Sequence, residues 1–174
     1  MKKTLLITLL LTLLSLLLFG VTKLYMAYNL AAYAGYYVQH MPRKAGTHPE
    51  LAIIVDYAHD ITDPRTKTHY FDLDGNGAVF KKDTSYAAYY TAYDKYYLRN
   101  ISNNYEYIFS NNTVFDYKVR GSDYEEKEKI YNDHTLSEAE SLLDELLQPV
   151  LDVQPKPKIN LQQQFNAQHQ KRFN

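Results

Sequence analysis

The chain of 174 residues contains no cysteine and no tryptophan, and its formal net charge is only -1. Without cysteine it has no disulfide framework, no thiolate zinc site, no cysteine nucleophile and no cysteine for lipid attachment. The balanced charge gives no reason to expect nucleic acid as a partner, because proteins that bind it carry clustered basic residues. What remains is a chain sized for one modest domain.

Aliphatic residues and phenylalanine are also scarce over most of the chain. Ten leucines lie between Leu5 and Leu18, whereas from Lys23 onward Leu, Ile, Val and Phe make up only 32 of 152 residues. That share is close to the level at which disorder becomes the default. Tyrosine is abundant instead, with 18 residues. We therefore expect tyrosine rings to supply core material, with each hydroxyl reaching water or a hydrogen-bond partner.

The N-terminal segment carries the one long hydrophobic run. Residues 4–22 hold no charge and follow Lys2 and Lys3, and as a helix they span just under 30 Å, about the thickness of a bilayer core. We predict that residues 1–23 form an uncleaved signal anchor that contacts the membrane through residues 4–22. The alternative is secretion after cleavage of a signal peptide, at Ala34 or less favourably at Thr22. By the positive-inside rule, the N-terminus stays in the cytoplasm and the rest of the chain lies outside.

Residues 24–41 continue the helical pattern and define a predicted juxtamembrane helix. Tyr25 and Tyr28 begin where lipid headgroups are expected, as in an aromatic belt. Pro42 is expected to end this helix, and residues 41–50 have the composition of a linker.

Residues 42–148 predict an extracytoplasmic α+β domain with antiparallel β-hairpins packed by helices. Residues 51–58 are short, β-branched and bounded by turn formers, which favours a buried strand. One hairpin is predicted from residues 66–73 and 78–82, and a second from residues 105–109 and 113–119.

A helix with a tyrosine stripe is predicted between the hairpins, over residues 84–99. Six tyrosines recur at helical spacing and share one side of this helix, namely Tyr86, Tyr89, Tyr90, Tyr93, Tyr96 and Tyr97. The stripe is interpreted as the core of a leucine-poor domain, and the alternative is a surface that docks a partner or binds sugar rings.

The C-terminal part predicts one more helix and then a tail. Thr135 is the expected N-cap, with Glu138 closing a capping box, and Pro149 is expected to end the helix. Residues 149–174 form a basic, Gln/Pro-rich tail with no periodicity, and we predict disorder there. The acidic helix and this tail are candidate contact surfaces.

Residues 72–83 resemble the calcium loop of the EF-hand family and the shorter dockerin-type loops. The resemblance covers these twelve residues only and implies five ligand positions, with Ala78 acting through its carbonyl oxygen: Asp72, Asp74, Asn76, Ala78 and Asp83. The same residues also fit a plain hairpin turn, so calcium is a possible cofactor and both interpretations stay open.

Other chemistry is not visible in the sequence. His59 and Asp60, with Asp56 and Asp63, are the one cluster suited to a transition metal, and a solvated strand end is the favoured alternative. No phosphate loop or nucleophile elbow occurs. The expected function is therefore a membrane-anchored, non-enzymatic interaction or structural component of the cell envelope. Its partner would be an envelope protein, and the alternatives are a calcium-binding module and, less favoured, a small exported hydrolase.

Overall fold

The computed structural model describes the backbone of residues 2–63, 72–74, 77–81, 86–90, 95–100, 104–120 and 129–174. Side chains are described for 3–63, 95–100, 104–120 and 129–174. Within these ranges the fold is α+β, with an antiparallel sheet, packed helices and one long apolar helix near the N-terminus.

The N-terminal helix α1 spans Lys2–Ala32. Its large apolar side chains from Leu5 to Leu24 are all more than half exposed. Among the described helices, α1 is the one that is long and apolar enough for a membrane span or a signal sequence. After a break at Tyr33 the chain continues as α2, Ala34–Gln39. The helix predicted over residues 24–41 is thus present in two pieces.

The strand predicted over residues 51–58 is wrong, because helix α3 occupies Pro49–Asp56. A short apolar run fits a buried strand and a buried helix equally well. The deciding signals stand just before the run, in residues that were assigned to a linker. Pro49 occupies the first turn, where its missing N–H costs nothing, and Glu50 places a carboxylate near the helix N-terminus.

Six strands form one antiparallel meander in sequence order. Their bounds are β1 Asp72–Asp74, β2 Gly77–Lys81, β3 Tyr86–Tyr90, β4 Lys95–Asn100, β5 Tyr105–Ser110 and β6 Phe115–Arg120. Both predicted hairpins are confirmed as strand pairs, β1 with β2 and β5 with β6. Residues 66–71 and 82 of the first hairpin prediction lie outside the described residues.

The tyrosine helix predicted over residues 84–99 is wrong, since β3 and β4 occupy most of this segment and pair with Tyr89 opposite Tyr97. Tyrosine favours a pleated surface, and this preference competes with the helical period of its spacing. Adjacent tyrosines within a strand face opposite sides of the sheet. Along β4 half-buried and buried residues alternate, with Tyr96 fully buried and Tyr97 half-buried. The side chains of the four earlier tyrosines lie outside the described residues.

Helix α4, Asp133–Asp152, begins earlier and ends later than predicted. Asn132 is the N-cap, and its Oδ1 accepts from the Thr135 backbone N–H at 2.9 Å. Thr135 closes the capping box, a role that the sequence predicted for Glu138. The Thr135 Oγ1 accepts from the Asn132 N–H at 2.9 Å. Pro149 lies inside the helix, where buried Leu146 and Val150 continue the packing on both sides of it.

The prediction of a disordered tail is wrong. Residues 162–169 form helix α5, Gln162–His169, followed by a 3-10 turn over Gln170–Arg172. Phe165 and Phe173 are fully buried in the core that lies between the sheet and the helices. The average composition of the tail is polar and predicts disorder. Two buried aromatic rings are nevertheless enough to bind a short polar segment to a core.

Candidate functional site

The candidate site lies where α1 meets the domain. Lys23, Met26, Ala27 and Leu30 follow helical spacing and line one wall of a cleft of about 280 Å³. The opposite wall consists of Tyr57, at the end of α3, and Gln168, on α5. The cleft is therefore formed by residues of three helical segments, of which α5 is more than a hundred residues from the other two.

A buried polar junction holds α1 in place above this cleft. Asn29 is only 1% exposed, and its Oδ1 accepts from the Tyr37 hydroxyl at 2.6 Å. The Asn29 Nδ2 donates to the Ile159 carbonyl at 3.2 Å, and the Tyr37 hydroxyl accepts from the Leu161 N–H at 3.0 Å. Burial raises the pKa of Tyr37 and the Leu161 N–H opposes that rise. Because buried polar groups are costly without partners, this junction fixes α1 to the segment before α5.

A second polar pair connects α3 with α5 beside the cleft. The Tyr57 hydroxyl lies 2.9 Å from His169 Nε2, and the His169 ring packs on Phe165 with centroids 4.6 Å apart. Burial lowers the pKa of His169 despite the attraction of Asp56, and burial raises the pKa of Tyr57. The neutral forms of both groups are therefore favoured in the folded chain.

We expect the stability of the domain to fall as pH drops through the range in which histidine titrates. The pKa of His169 lies below its ordinary value of 6.5, so the unfolded chain binds the proton more readily and acid favours unfolding. Thermal melts at about pH 7.5 and about pH 5.5 measure the loss of melting temperature on acidification. His169→Gln should reduce it, whereas His59→Gln, at an exposed position, should not.

His48 contributes to this pH dependence with the same sign, since burial lowers its pKa as well. The single His169→Gln variant should therefore keep part of the dependence, and the variant that also carries His48→Gln should keep less. Equal losses of melting temperature on acidification in the parent and in this double variant would contradict the assignment.

The chain end is held by Arg172. Its guanidinium donates to Asp56 at 2.9 Å and to Asn111 Oδ1 at 2.8 Å, and also to the Tyr96 hydroxyl. These contacts join the 3-10 turn to α3, to the β5–β6 turn and to β4. Together with buried Phe173, they fasten the end of the chain to the domain.

A second cleft, of about 390 Å³, lies between α4 and the sheet. Its lining includes Tyr107, Ser137, Glu138 and Ser141. Beside it, the buried Lys118 ammonium lies 2.5 Å from a Glu138 oxygen and 4.0 Å from the centroid of a tyrosine ring on β5. Burial lowers the pKa of Lys118, but the hydrogen bond to Glu138 together with the interactions of Lys118 with Tyr107 and the Glu138 charge outweighs burial, and the pKa is raised. This lysine is therefore a charged, fixed neighbour of the cleft, held by the lining residue Glu138.

The predicted calcium ligands are only partly within the described chain. Asp72 and Asp74 lie on β1 and Ala78 on β2, in a register that places Asp74 opposite Gly77. Asn76 and Asp83 lie outside the described residues, as do the side chains of the whole loop. Among the side chains that are described, no three His, Asp or Glu gather in a way that suits a metal. This includes the cluster of His59 with its neighbouring aspartates.

Calcium binding by the loop stays a prediction with a direct test. If the loop binds the ion, calcium should raise the melting temperature of the full chain through linkage. The shift should disappear in the double variant Asp72→Ala with Asp74→Ala, because two of the hard oxygen ligands are lost. Asp144→Ala with Asp152→Ala, which removes two exposed carboxylates of α4, is the charge-matched control. An absent shift in the parent leaves the loop as a plain hairpin turn.

Sequence reasoning missed the residues that form the junction and the first cleft. Asn29 is the one strongly polar residue in the Ala- and Tyr-rich residues 24–38, and that isolation was a usable signal. Tyr57 and His169 gave no such signal, because they are distant in sequence and come into contact only in the folded chain. Comparisons with protein-family models, curated proteins and solved structures find no match to this chain.

Proposed function

We propose that the protein is a single-span membrane protein that holds its α+β domain at the bilayer surface as a non-catalytic interaction module of the cell envelope. The N-terminus would lie in the cytoplasm and the domain outside, following the lysine distribution around residues 4–22. The observation that carries the proposal is the continuity of α1, which runs from exposed leucines to buried Asn29.

The buried junction favours retention of α1 over its removal. Cleavage at Ala34 would detach Asn29 and leave the buried Tyr37 hydroxyl without one of its partners. A broken buried hydrogen bond costs about 1–3 kcal/mol. A signal peptide that is discarded has no need to pack into the mature domain, whereas an anchor that positions a domain does.

The surface proposed for a partner is the cleft between α4 and the sheet. Exposed Ser137 and Ser141 lie at this cleft, beside the fixed Lys118 and Glu138 pair. Polar groups that are already held in place lose little entropy on binding, so they favour a specific contact.

A photo-crosslinking residue at Ser141, introduced into the full chain in native membranes, tests the interaction. We expect one discrete adduct that disappears when Ser137→Arg fills the cleft and persists with Asn112→Arg, at the exposed β5–β6 turn. The interaction role is contradicted if the adduct forms equally with both arginine variants, or if no adduct forms at all. Turnover of a substrate that depends on the same cleft would contradict the non-catalytic assignment.

A further inference from the structure

If residues 4–22 span the bilayer, the span also fixes the position along the bilayer normal of the cleft between α1 and the domain. Residues 23–30 begin directly after the apolar run and rise about 10 Å along the helix axis. The headgroup layer on each side of a bilayer is about 5–8 Å thick. The cleft wall from Lys23 to Leu30 therefore lies alongside the headgroups.

Positive charge is concentrated at this depth. Lys23 lines the cleft, and among the described side chains none forms an ion pair with it. The Ile159 carbonyl accepts from Asn29, so the preceding residue, Lys158, lies near α1 at the level of Asn29. Lys158 is exposed and likewise has no ion-pair partner among the described side chains. Two carboxylates act on Tyr57 of the cleft, Asp56 and Asp60, and Asp56 is engaged by Arg172 at 2.9 Å.

The cleft also has the shape and chemistry for a small amphipathic group. Its volume of about 280 Å³ lies just below the range of about 300–1,000 Å³ that holds drug-sized ligands. Met26 and Leu30 offer apolar contact on the α1 wall, whereas the Gln168 amide and the Tyr57 hydroxyl lie opposite. An apolar wall that faces hydrogen-bonding groups suits a glycerol phosphate with the first methylenes of its chains.

We propose that this cleft binds the headgroup of an anionic phospholipid. The inference rests on the proposed membrane span and adds a ligand to it. Lys23 and Lys158 attract the phosphate, the Gln168 amide donates a hydrogen bond to a headgroup oxygen, and Met26 and Leu30 contact the glycerol and acyl carbons. The acyl chains continue beside the exposed leucines of α1. Juxtamembrane lysines gain from anionic lipid in this way because the phosphate layer is close to them.

Melting of the full chain in detergent, after removal of co-purified lipid, tests the proposal. Added phosphatidylglycerol should raise the melting temperature by about 5 °C or more at saturation, because a ligand of the folded state stabilises that state. Phosphatidylcholine should give a much smaller shift, and inorganic phosphate should give none. The first comparison tests the headgroup charge, and the second distinguishes a lipid site from a free anion site.

Paired variants assign the effect to the cleft. Lys23→Gln with Lys158→Gln should remove the difference between the two lipids, whereas Lys129→Gln, beside β6, should keep it. The proposal is overturned if both lipids give equal shifts, if the double glutamine variant keeps the difference, or if inorganic phosphate reproduces it. Failure of the membrane span would appear separately, as release of the chain from membranes by alkaline carbonate.

Discussion

Phe165→Ala should destabilise the domain by about 3–5 kcal/mol, the usual cost of removing a buried phenylalanine ring. In a chain of this size that corresponds to a fall in melting temperature of about 6–20 °C. The large effect is expected because Phe165 is fully buried and packs on Tyr37, with ring centroids 5.3 Å apart, and on His169. Thermal or chemical unfolding of the full chain in detergent measures it.

Gln163→Ala is the matched control for this variant, since it lies in the same helix at an exposed position. Alanine is a good helix former, so the control should change stability by less than about 0.5 kcal/mol. If Phe165→Ala and Gln163→Ala had the same small effect, helix α5 would not be part of the core and residues 149–174 would be a tail after all.

Two arginines in the middle of the apolar run should abolish membrane integration. Leu10→Arg with Leu14→Arg places two charges near the centre of residues 4–22, at a cost of about 5–7 kcal/mol on the insertion scale. We expect the variant to be lost from the pellet of membranes washed with alkaline carbonate. Quantitative immunoblotting of pellet and supernatant gives the measurement.

Leu10→Ile with Leu14→Ile is the control for the arginine pair, because it keeps the hydrophobicity and volume of the span. It should pellet like the parent chain. Equal recovery of the arginine variant in the washed pellet would mean that something other than α1 holds the protein at the membrane.

The local pattern of apolar and turn residues predicted the secondary structure correctly wherever only one structure satisfies that pattern. The long leucine run is of this kind, because its nineteen uncharged residues are helical both as an anchor and as a signal peptide. The two hairpins are also of this kind, because each consists of two short runs on either side of turn residues. The run from Leu51 to Val55 satisfies two structures, and Pro49 in the first turn decided for the helix. The tyrosine segment has a helical period but consists of a residue type that favours strands, and pairing of β3 with β4 decided for the sheet.

The junction and the two clefts were out of reach of the sequence for a different reason. Asn29 meets Ile159, and Tyr57 meets His169, through contacts that span more than a hundred positions. Such pairs have no local signature, since each residue alone is an ordinary surface or helix residue. The tail shows the same limit, because its order depends on Phe165, Phe173 and Arg172 finding partners elsewhere in the domain.

The intact mass of the chain recovered from alkali-washed membranes tests most directly whether α1 is retained and anchors the domain. We expect the full chain of 20.3 kDa in the membrane pellet. A chain that lacks residues 1–22 or 1–34, recovered in the soluble fraction, would contradict it and leave α1 as a discarded signal peptide.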